Sequence, residues 1–466
     1  MGDIAFTLKS YENIGARSAR RGNDISLREP SVRSAVDALV EARKDHGEIV
    51  KSIRQRGAEL LDQELLEENR RYNELRNTLR ERRNTAVRLG HERALARLNE
   101  ELRDNNFSWK LSIGPKVGNR QTYELCNEFY HRIAAKQVEA SLIVGTRRYQ
   151  PSRHSIVAAL KQALEKPFSY GVVRLDIRNF FDSVPHDKLL LSVNSNSRID
   201  SVTKKLVNKL LAEYSEITGQ SNGMPQGVGI SSKLADVFLR DIDDALVTDP
   251  RVSFYARFVD DIIVITKNPE HVEELKQYSV DLLNKIGLEV NGDKTTTFKT
   301  GECGEFPKST RKFEYLGYQF LKPRNTALKV YLSDARVSKI EAKLQRAFKV
   351  WENASRSLGA RDKSGIDGLL SDRVRFLTTN TSLHNSKEKV SVGVFFSNRE
   401  INEHSQLREL DNALKNLIAN YEAKMSENLV KRLQKYSFLL GFKEKQFSRF
   451  SLQAFRRISA CWGDLK

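Results

Sequence analysis

The chain has 466 residues, 39% of them hydrophobic, enough apolar material to bury a sizeable core in two or three domains and too much for a disordered tail. Its 30% charged residues sum to a net charge of +18, which points to a polyanionic partner, most often nucleic acid, with a membrane surface the weaker alternative. Three scattered cysteines (Cys126, Cys303, Cys461) without CxxC spacing indicate neither a disulfide framework nor a zinc site, so a reducing cytoplasm is expected; no apolar run of about 20 residues spans a bilayer, and MGDIAFTLKS does not fit a myristoylation signal.

In chain order, residues 30 to 104 read as helix, with apolar positions at spacings of three and four: Val32, Val36 and Leu39, then Tyr72, Leu75 and Leu79, then Leu95, Leu98 and Leu102. The remainder of that region is charged, with Glu and Arg at ion-pair spacing, and Gly47, Gly57 and Gly90 are expected to interrupt the rod. A helical hairpin packed on its own protein is one reading; an element for self-association, or for docking a partner or a guide RNA, is the other. From 105 to about 325, short β-rich runs alternate with helical ones: YGVVRLDI, KKLVNKLLAEY, FYARFVDDIIVIT, HVEELKQYSVDLLNKIG, FEYLGYQFL. Helices return after about 332, interrupted by one strand-like run, VSVGVFFS.

Two adjacent aspartates, Asp260 and Asp261, interrupt the apolar run YARFVDDIIVIT where a hairpin turn between two buried strands is predicted. Like charges that close repel and call for a cation. A divalent metal such as Mg²⁺ suits hard oxygen ligands and binds substrate phosphates. Asp176, which ends the apolar strand of VVRLDIRNFFDSV, supplies a third carboxylate. Three carboxylates at neighbouring strand ends would hold two metals about 4 Å apart, an arrangement that activates a 3′-hydroxyl and stabilises leaving pyrophosphate. Asp241, Asp243 and Asp244 in LRDIDDALV fall on a predicted helix and need only be a solvated face, while Asp182 and Asp187 read as structural or capping residues. Between the carboxylate segments, SNGMPQGVGISS has the glycines and the proline of a loop that allows close backbone approach, followed by a helix start that offers amides to phosphate or to a template base.

In this order and spacing the segments resemble prokaryotic reverse transcriptases. LDIRNFFDSV looks like the first palm motif of that family, MPQGVGISS like the second, FVDD like the third, GLEVNGDKT like the fourth and FEYLGYQF like the fifth; together they run from Leu175 to Phe320. The resemblance implies an α+β right-hand polymerase. Residues 1–104 would be a helical N-terminal extension, 105–325 the fingers and an antiparallel palm, and 326–466 a helical thumb with a mainly helical extension. It implies metal positions at Asp176, Ile177, Asp260 and Asp261, and a proton donor or phosphate contact at Lys294. Phe181 would be the aromatic gate that excludes a 2′-hydroxyl, Gln226 and Gly227 nucleotide and template contacts, and Tyr315, Leu316 and Gly317 the primer grip. In the fingers, Lys136, Arg147, Arg148 and Arg153 are candidates for triphosphate or template backbone.

Phe258 stands where the family commonly has Tyr, and the second motif lacks the Pro near its end that intron and retron enzymes carry. The segment FLTTNTSLHNSKEKVSVGVFFSN and the helices after it resemble the C-terminal extension of the abortive-infection, defence-associated reverse transcriptases that bacteria use against phage. The resemblance therefore implies an RNA-directed DNA polymerase using two Mg²⁺ (or Mn²⁺) ions and dNTPs, with RNA and DNA as partners. A non-coding RNA, a second reverse transcriptase or another copy of the chain are further expected partners. Template-independent synthesis stays open as an alternative. An RNA-dependent RNA polymerase is disfavoured by Phe181 and FVDD, and an inert RNA-binding scaffold by the intact aspartates.

Overall fold

The charged N-terminal region forms two helices, Pro30–Gln55 and Leu61–Arg103, packed against each other as an arm. The computed structural model describes residues 26, 29–55, 61–118, 120–146, 151–310, 312–357, 363–382 and 391–463, and the chain divides into two compact units, Met1–Arg148 with Phe181–Leu239 and Tyr149–Phe180 with Arg240–Lys466. In the arm the apolar stripe is covered unevenly: Val32, Ile53, Leu79 and Leu98 are buried, whereas Val40 and Leu66 stay 64% and 74% exposed. His46 stacks on Tyr72 with ring centroids 4.1 Å apart and its Nδ1 lies 3.2 Å from Glu68 Oε1, so a polar stack helps fix the register of the two helices. Gly47 and Gly90, expected as interruptions, sit inside the helices. A Cβ on Gly90 would lie 3.0 Å from Glu29 Cγ, so close packing explains that glycine better than a break does; Gly57 lies outside the described residues.

The rest of the first unit is a β-hairpin and a helical core. Strands β1 (Ser112–Val117) and β2 (Arg120–Glu124) pair antiparallel. The helix Phe129–Gly145 is apolar nearly all round, with Ile133, Ala134, Val138 and Leu142 fully buried, and it packs on helices Ser201–Thr218 and Gly229–Phe238. Ser201–Thr218 has definite ends. Asp200 accepts from the Thr203 amide at its start, and Gly219 takes the left-handed conformation (φ +69°) at its end. Trp109 is fully buried and donates its indole N–H to Leu206 O at 2.9 Å, which ties the segment after the arm to this helix.

In the second unit, β3 (Gly171–Asp176), β4 (Val252–Phe258), β5 (Asp261–Thr266) and β6 (Thr296–Lys299) form one antiparallel sheet in the order β4-β5-β3-β6. Its two central strands read VVRLD and DIIVI, β-branched and fully buried at Val172, Val173, Leu175 and Ile262 through Ile265. Consecutive buried residues mean both faces are covered, and helices Arg153–Leu164, Arg240–Thr248 and Val272–Lys285 supply cover. Each such side chain stabilises the sheet by roughly 1.5–3 kcal/mol relative to exposure. A second sheet, β7 (Phe313–Tyr315), β8 (Tyr318–Leu321) and β9 (Lys329–Leu332), shares a core with the helices that follow, Asp334–Ser357, Lys363–Thr378, Ser405–Tyr421, Glu427–Leu433, Phe438–Lys443 and Leu452–Ala460. Of the strand-like run VSVGVFFS only Ser391–Gly393 is extended; it forms β11 and pairs with β10 (Asn380–Ser382), after which the chain turns. Among the described residues no helix is long and apolar enough to cross a membrane.

Candidate active site

Antiparallel register sets the carboxylates. Asp176 is the last residue of β3 and Asp261 the first of β5, and they are paired across the ladder; β4 and β5 meet at Phe258 and Asp261, leaving Val259 and Asp260 as a two-residue turn. Such a turn needs positive φ at its first position, which here falls on a β-branched residue: Val259 has φ +62°. That conformation costs about 1–3 kcal/mol and persists only where its surroundings enforce it. Here they do. The Ile177 amide donates to Asp260 O at 3.2 Å, and the Arg257 guanidinium donates to Val259 O at 3.0 Å.

Around the carboxylates the chain has placed its own cations. Arg174, two residues before Asp176 on the same strand, donates Nε and Nη2 to the two oxygens of Asp261, both at 3.0 Å. Lys294 Nζ lies 3.1 Å from Asp176 Oδ2, and Asn291 donates its backbone N–H to Asp176 O at 2.7 Å. Burial pushes the Asp261 carboxyl above its ordinary range, Arg174 holds it down, and Asp176 and Asp260 push it up again. Three crowded carboxylates are a hard-oxygen donor set that fits a divalent ion. Tyr315, fully buried, donates its hydroxyl to Asp261 O at 3.1 Å and so supports the start of β5.

One carboxylate expected to face solvent does not. Asp243 lies on the helix Arg240–Thr248 with its neighbours Asp241 and Asp244, yet it is 6% exposed and accepts two bonds of 2.7 Å from Arg257 and one from the Tyr255 hydroxyl. The decoy is a buttress: it neutralises the buried cation that holds the aspartate turn. The available signal was Arg257 itself, a cation inside the strand FYARF, which requires a buried partner. Arg174 was legible too, since period two puts it on the same face as Asp176.

The predicted nucleotide contacts gather in the first unit. Phe181 is half-buried and its carbonyl accepts from Met224 N at 2.7 Å, while Gln226 Nε2 donates to Asp182 Oδ1 at 3.1 Å. The Gly-rich loop is thus pinned to the turn that carries Phe181. Gly227 has φ +93° and a Cβ there would lie 3.0 Å from Tyr123 O, so only glycine fits this loop. Asp182 acts as a structural acceptor and Asp187 sits in the first turn of helix His186–Asn194. Lys136 is paired with Glu139 at 2.6 Å, one helical turn on. Arg147 and Arg148 lie outside the described residues. Arg153, in the second unit, donates Nε to Leu316 O at 2.9 Å and so holds the Leu316–Gly317 turn, where both residues have positive φ (+47° and +73°).

Cysteine spacing did not point to a further group, Cys126, Glu128 and His131, whose ligand atoms lie within 4.8 Å of one another. Glu128 is already paired there with Arg97 and Lys110.

The family model described as reverse transcriptase (RNA-dependent DNA polymerase) matches residues 119–320, a span that takes in Asp176, Phe181, Gln226, Asp260, Asp261, Lys294 and Tyr315. No curated protein matches the chain. Among solved structures, apo telomerase from Candida tropicalis truncated from its C-terminal domain is 16% identical over 48% of this chain and 55% of that one (TM-score 0.38), so the chain spans about half its length. The apo telomerase from the same organism is 14% identical over 76% of this chain and 67% of its own (TM-score 0.38), and the BmCPV RNA-dependent RNA polymerase is 12% identical over 63% and 29% (TM-score 0.34). The family match, and not these distant likenesses, is the informative one: residues 119–320 match the reverse transcriptase model, and the sheet within that span is antiparallel with helices on its faces.

Proposed function

We propose that the chain is an RNA-directed DNA polymerase that adds dNTPs to a 3′ end or a protein primer and serves in bacterial antiviral defence. The observation that supports the chemistry is the register of Asp176 against Asp261, with Asp260 on the adjoining turn. Asp176, Asp260, Asp261 and the Ile177 carbonyl would hold two Mg²⁺ ions, which when bound supply charge neutralisation and hydroxyl activation. The protein's own groups do the positioning. Arg174 fixes the Asp261 carboxylate, Asn291 and Lys294 fix Asp176, and the half-exposed Lys294 ammonium is placed to meet a phosphate or return a proton. Phe181 acts by clash with a 2′-hydroxyl, and the loop carrying Gln226 and Gly227 receives nucleotide and template. Residues 105–325 are read as fingers and palm and 326–466 as thumb and extension.

The defence role is supported by the resemblance of the C-terminal segment, which lies beyond the matched family span. Val40 and Leu66, apolar and exposed on a charged arm, support self-association through residues 30–104. Mg²⁺-dependent dNTP incorporation on primed RNA, compared between wild type and Asp260→Ala with Asp261→Ala, tests the polymerase reading; near wild-type incorporation by the double variant overturns it. Sequencing the nucleic acid that co-purifies, before and after dNTP addition, separates templated from untemplated synthesis. Phage plating with and without the intact aspartates tests the defence role, and equal plaque counts reject it.

A further inference from the structure

Outside the matched domain span, helices Asp334–Ser357, Lys363–Thr378 and Phe438–Lys443 and strand β11 enclose a cavity of about 280 Å³ within the second unit. Its wall has two characters. One part is apolar, built around Phe376, Val394 and Phe438; the other carries Arg336, Lys339 and Lys343, with Asn398 beside them. Among the described residues no carboxylate lines it.

Two of these cations, Arg336 and Lys343, are partly buried, while Lys339 is exposed at the rim. Arg336 is partly buried, donates Nη1 to Asn398 Oδ1 at 2.7 Å, and has its guanidinium 5.4 Å from the Tyr318 ring. A second guanidinium, that of Arg153, lies 5.2 Å from the same ring. Burial, and after it Arg153, push Arg336 down to about 10, and no carboxylate counters them. Lys343 is lowered as well, by burial and then by Lys339. Glu400, a carboxylate whose charge reaches Tyr318, is itself 3.2 Å from Arg399. Holding several cations together without a counter-charge costs free energy in the folded protein, and an anionic ligand would remove that cost. The cavity is linked to the palm-side turn: a Cβ on Gly317 would come within 2.6 Å of Arg336 Nε, so the turn must carry glycine for the guanidinium to occupy its place.

We infer that this cavity binds a nucleotide, with its phosphate among Arg336, Lys339 and Lys343 and its base against the apolar wall around Phe376 and Leu377. The phosphate follows from charge complementarity and the base from the apolar wall. The choice of a nucleotide among phosphorylated aromatics rests on the polymerase reading. The nucleotide has two sources, a free dNTP or the end of a strand.

The test uses the full chain in EDTA, which removes divalent ions from the aspartate site. Binding of mant-dATP and of a fluorescent, 5′-phosphorylated oligothymidylate is measured by anisotropy for wild type, Asp261→Asn, Arg336→Gln and Lys343→Gln. Wild type and Asp261→Asn are expected to bind alike, and each of the other two to bind about tenfold more weakly or worse, the loss of one charge-assisted contact. A preference for mant-dATP identifies the free nucleotide as ligand; binding of the oligonucleotide alone identifies a strand end. Arg336→Gln is also expected to keep or raise the melting temperature, since it removes an uncompensated charge. The proposal is overturned if wild type binds neither probe, if Arg336→Gln binds like wild type, or if Arg336→Gln melts several degrees lower, which would make the arginine structural. Failure of the polymerase reading shows separately, as absent Mg²⁺-dependent incorporation with EDTA-resistant binding intact.

Discussion

The β4–β5 hairpin and the helical arm are both hairpins rich in charge, and they hold that charge in opposite ways. On the arm, pairs such as Lys44–Glu48 and Arg70–Glu74 are exposed and spaced four apart, each contributing about 0.2–0.5 kcal/mol at most. On the strand hairpin the ionic groups are held by partly or fully buried partners: Asp261 by Arg174, Arg257 by Asp243, and the turn by bonds to Val259 O and Asp260 O. Charge density therefore does not mark the candidate site in this chain; immobilised charge does. The arm has more ionic residues, in pairs that are mostly exposed, while the sheet has few and arranges them about one strand end.

Breaking the comparison at its sharpest point gives the largest effect. Asp261→Asn keeps the shape of the side chain but removes its charge, and dNTP incorporation is expected to fall on the order of 10⁴-fold, as when one member of a catalytic set is removed. Circular dichroism is expected to show a folded protein, and EDTA added to wild type to give a loss of the same order. Incorporation within a factor of a few of wild type would place the chemistry elsewhere.

Asp243→Ala comes next and acts on stability. It leaves Arg257, 3% exposed, without its carboxylate, and breaking a buried pair this way is expected to destabilise by about 3–5 kcal/mol. Asp243→Leu with Arg257→Met, which removes both charges, should recover most of that loss in urea denaturation. If the single variant unfolds like wild type, Asp243 belongs to the solvated face that its helix suggested.

That residue marks the limit of what the sequence discloses. The strands, the turn at Asp260 and the grouping of Asp176 with Asp261 are legible because period-two burial and turn chemistry are local, and the helical character of the arm is legible from its spacing of three and four. What escapes is set by contacts distant in sequence. Asp243 and Arg257 find each other across 14 positions, and Asn291 reaches Asp176 across 115. Gly90 escapes for the same reason: propensity treats it as a breaker, but its place is decided by Glu29, 61 residues earlier in the chain, whereas Gly47 lies within its helix with open space around it.

Phe181→Ala gives a smaller effect, a change in selectivity. The side chain is half-buried on a turn held by Met224 N and by Gln226 through Asp182, so its position is fixed while part of the ring remains accessible. Discrimination by a steric contact of this kind is worth roughly tenfold to a hundredfold, and rNTP incorporation relative to dNTP is expected to rise by that factor. An unchanged ratio with a lowered melting temperature would assign Phe181 to the core instead.

The smallest expected effect is on the arm, where a change in charge alters association and leaves the fold as it was. Val40 and Leu66 are exposed and lie outside the His46–Tyr72 stack and the His46–Glu68 contact that fix the helices, so Val40→Lys with Leu66→Lys is expected to change stability by no more than about 0.5 kcal/mol. If these apolar residues meet another copy of the chain, the same double variant lowers the mass in solution, measured by light scattering, and leaves Mg²⁺-dependent incorporation intact. Tyr72→Ala separates the two roles, because it removes the His46 stack inside the arm and should cost about 1 kcal/mol without touching the exposed side chains. A wild type already monomeric at high concentration, or a double variant with unchanged mass, rejects self-association through these two side chains and leaves the arm as a packing element of its own unit, with exposed ion pairs that keep it solvated.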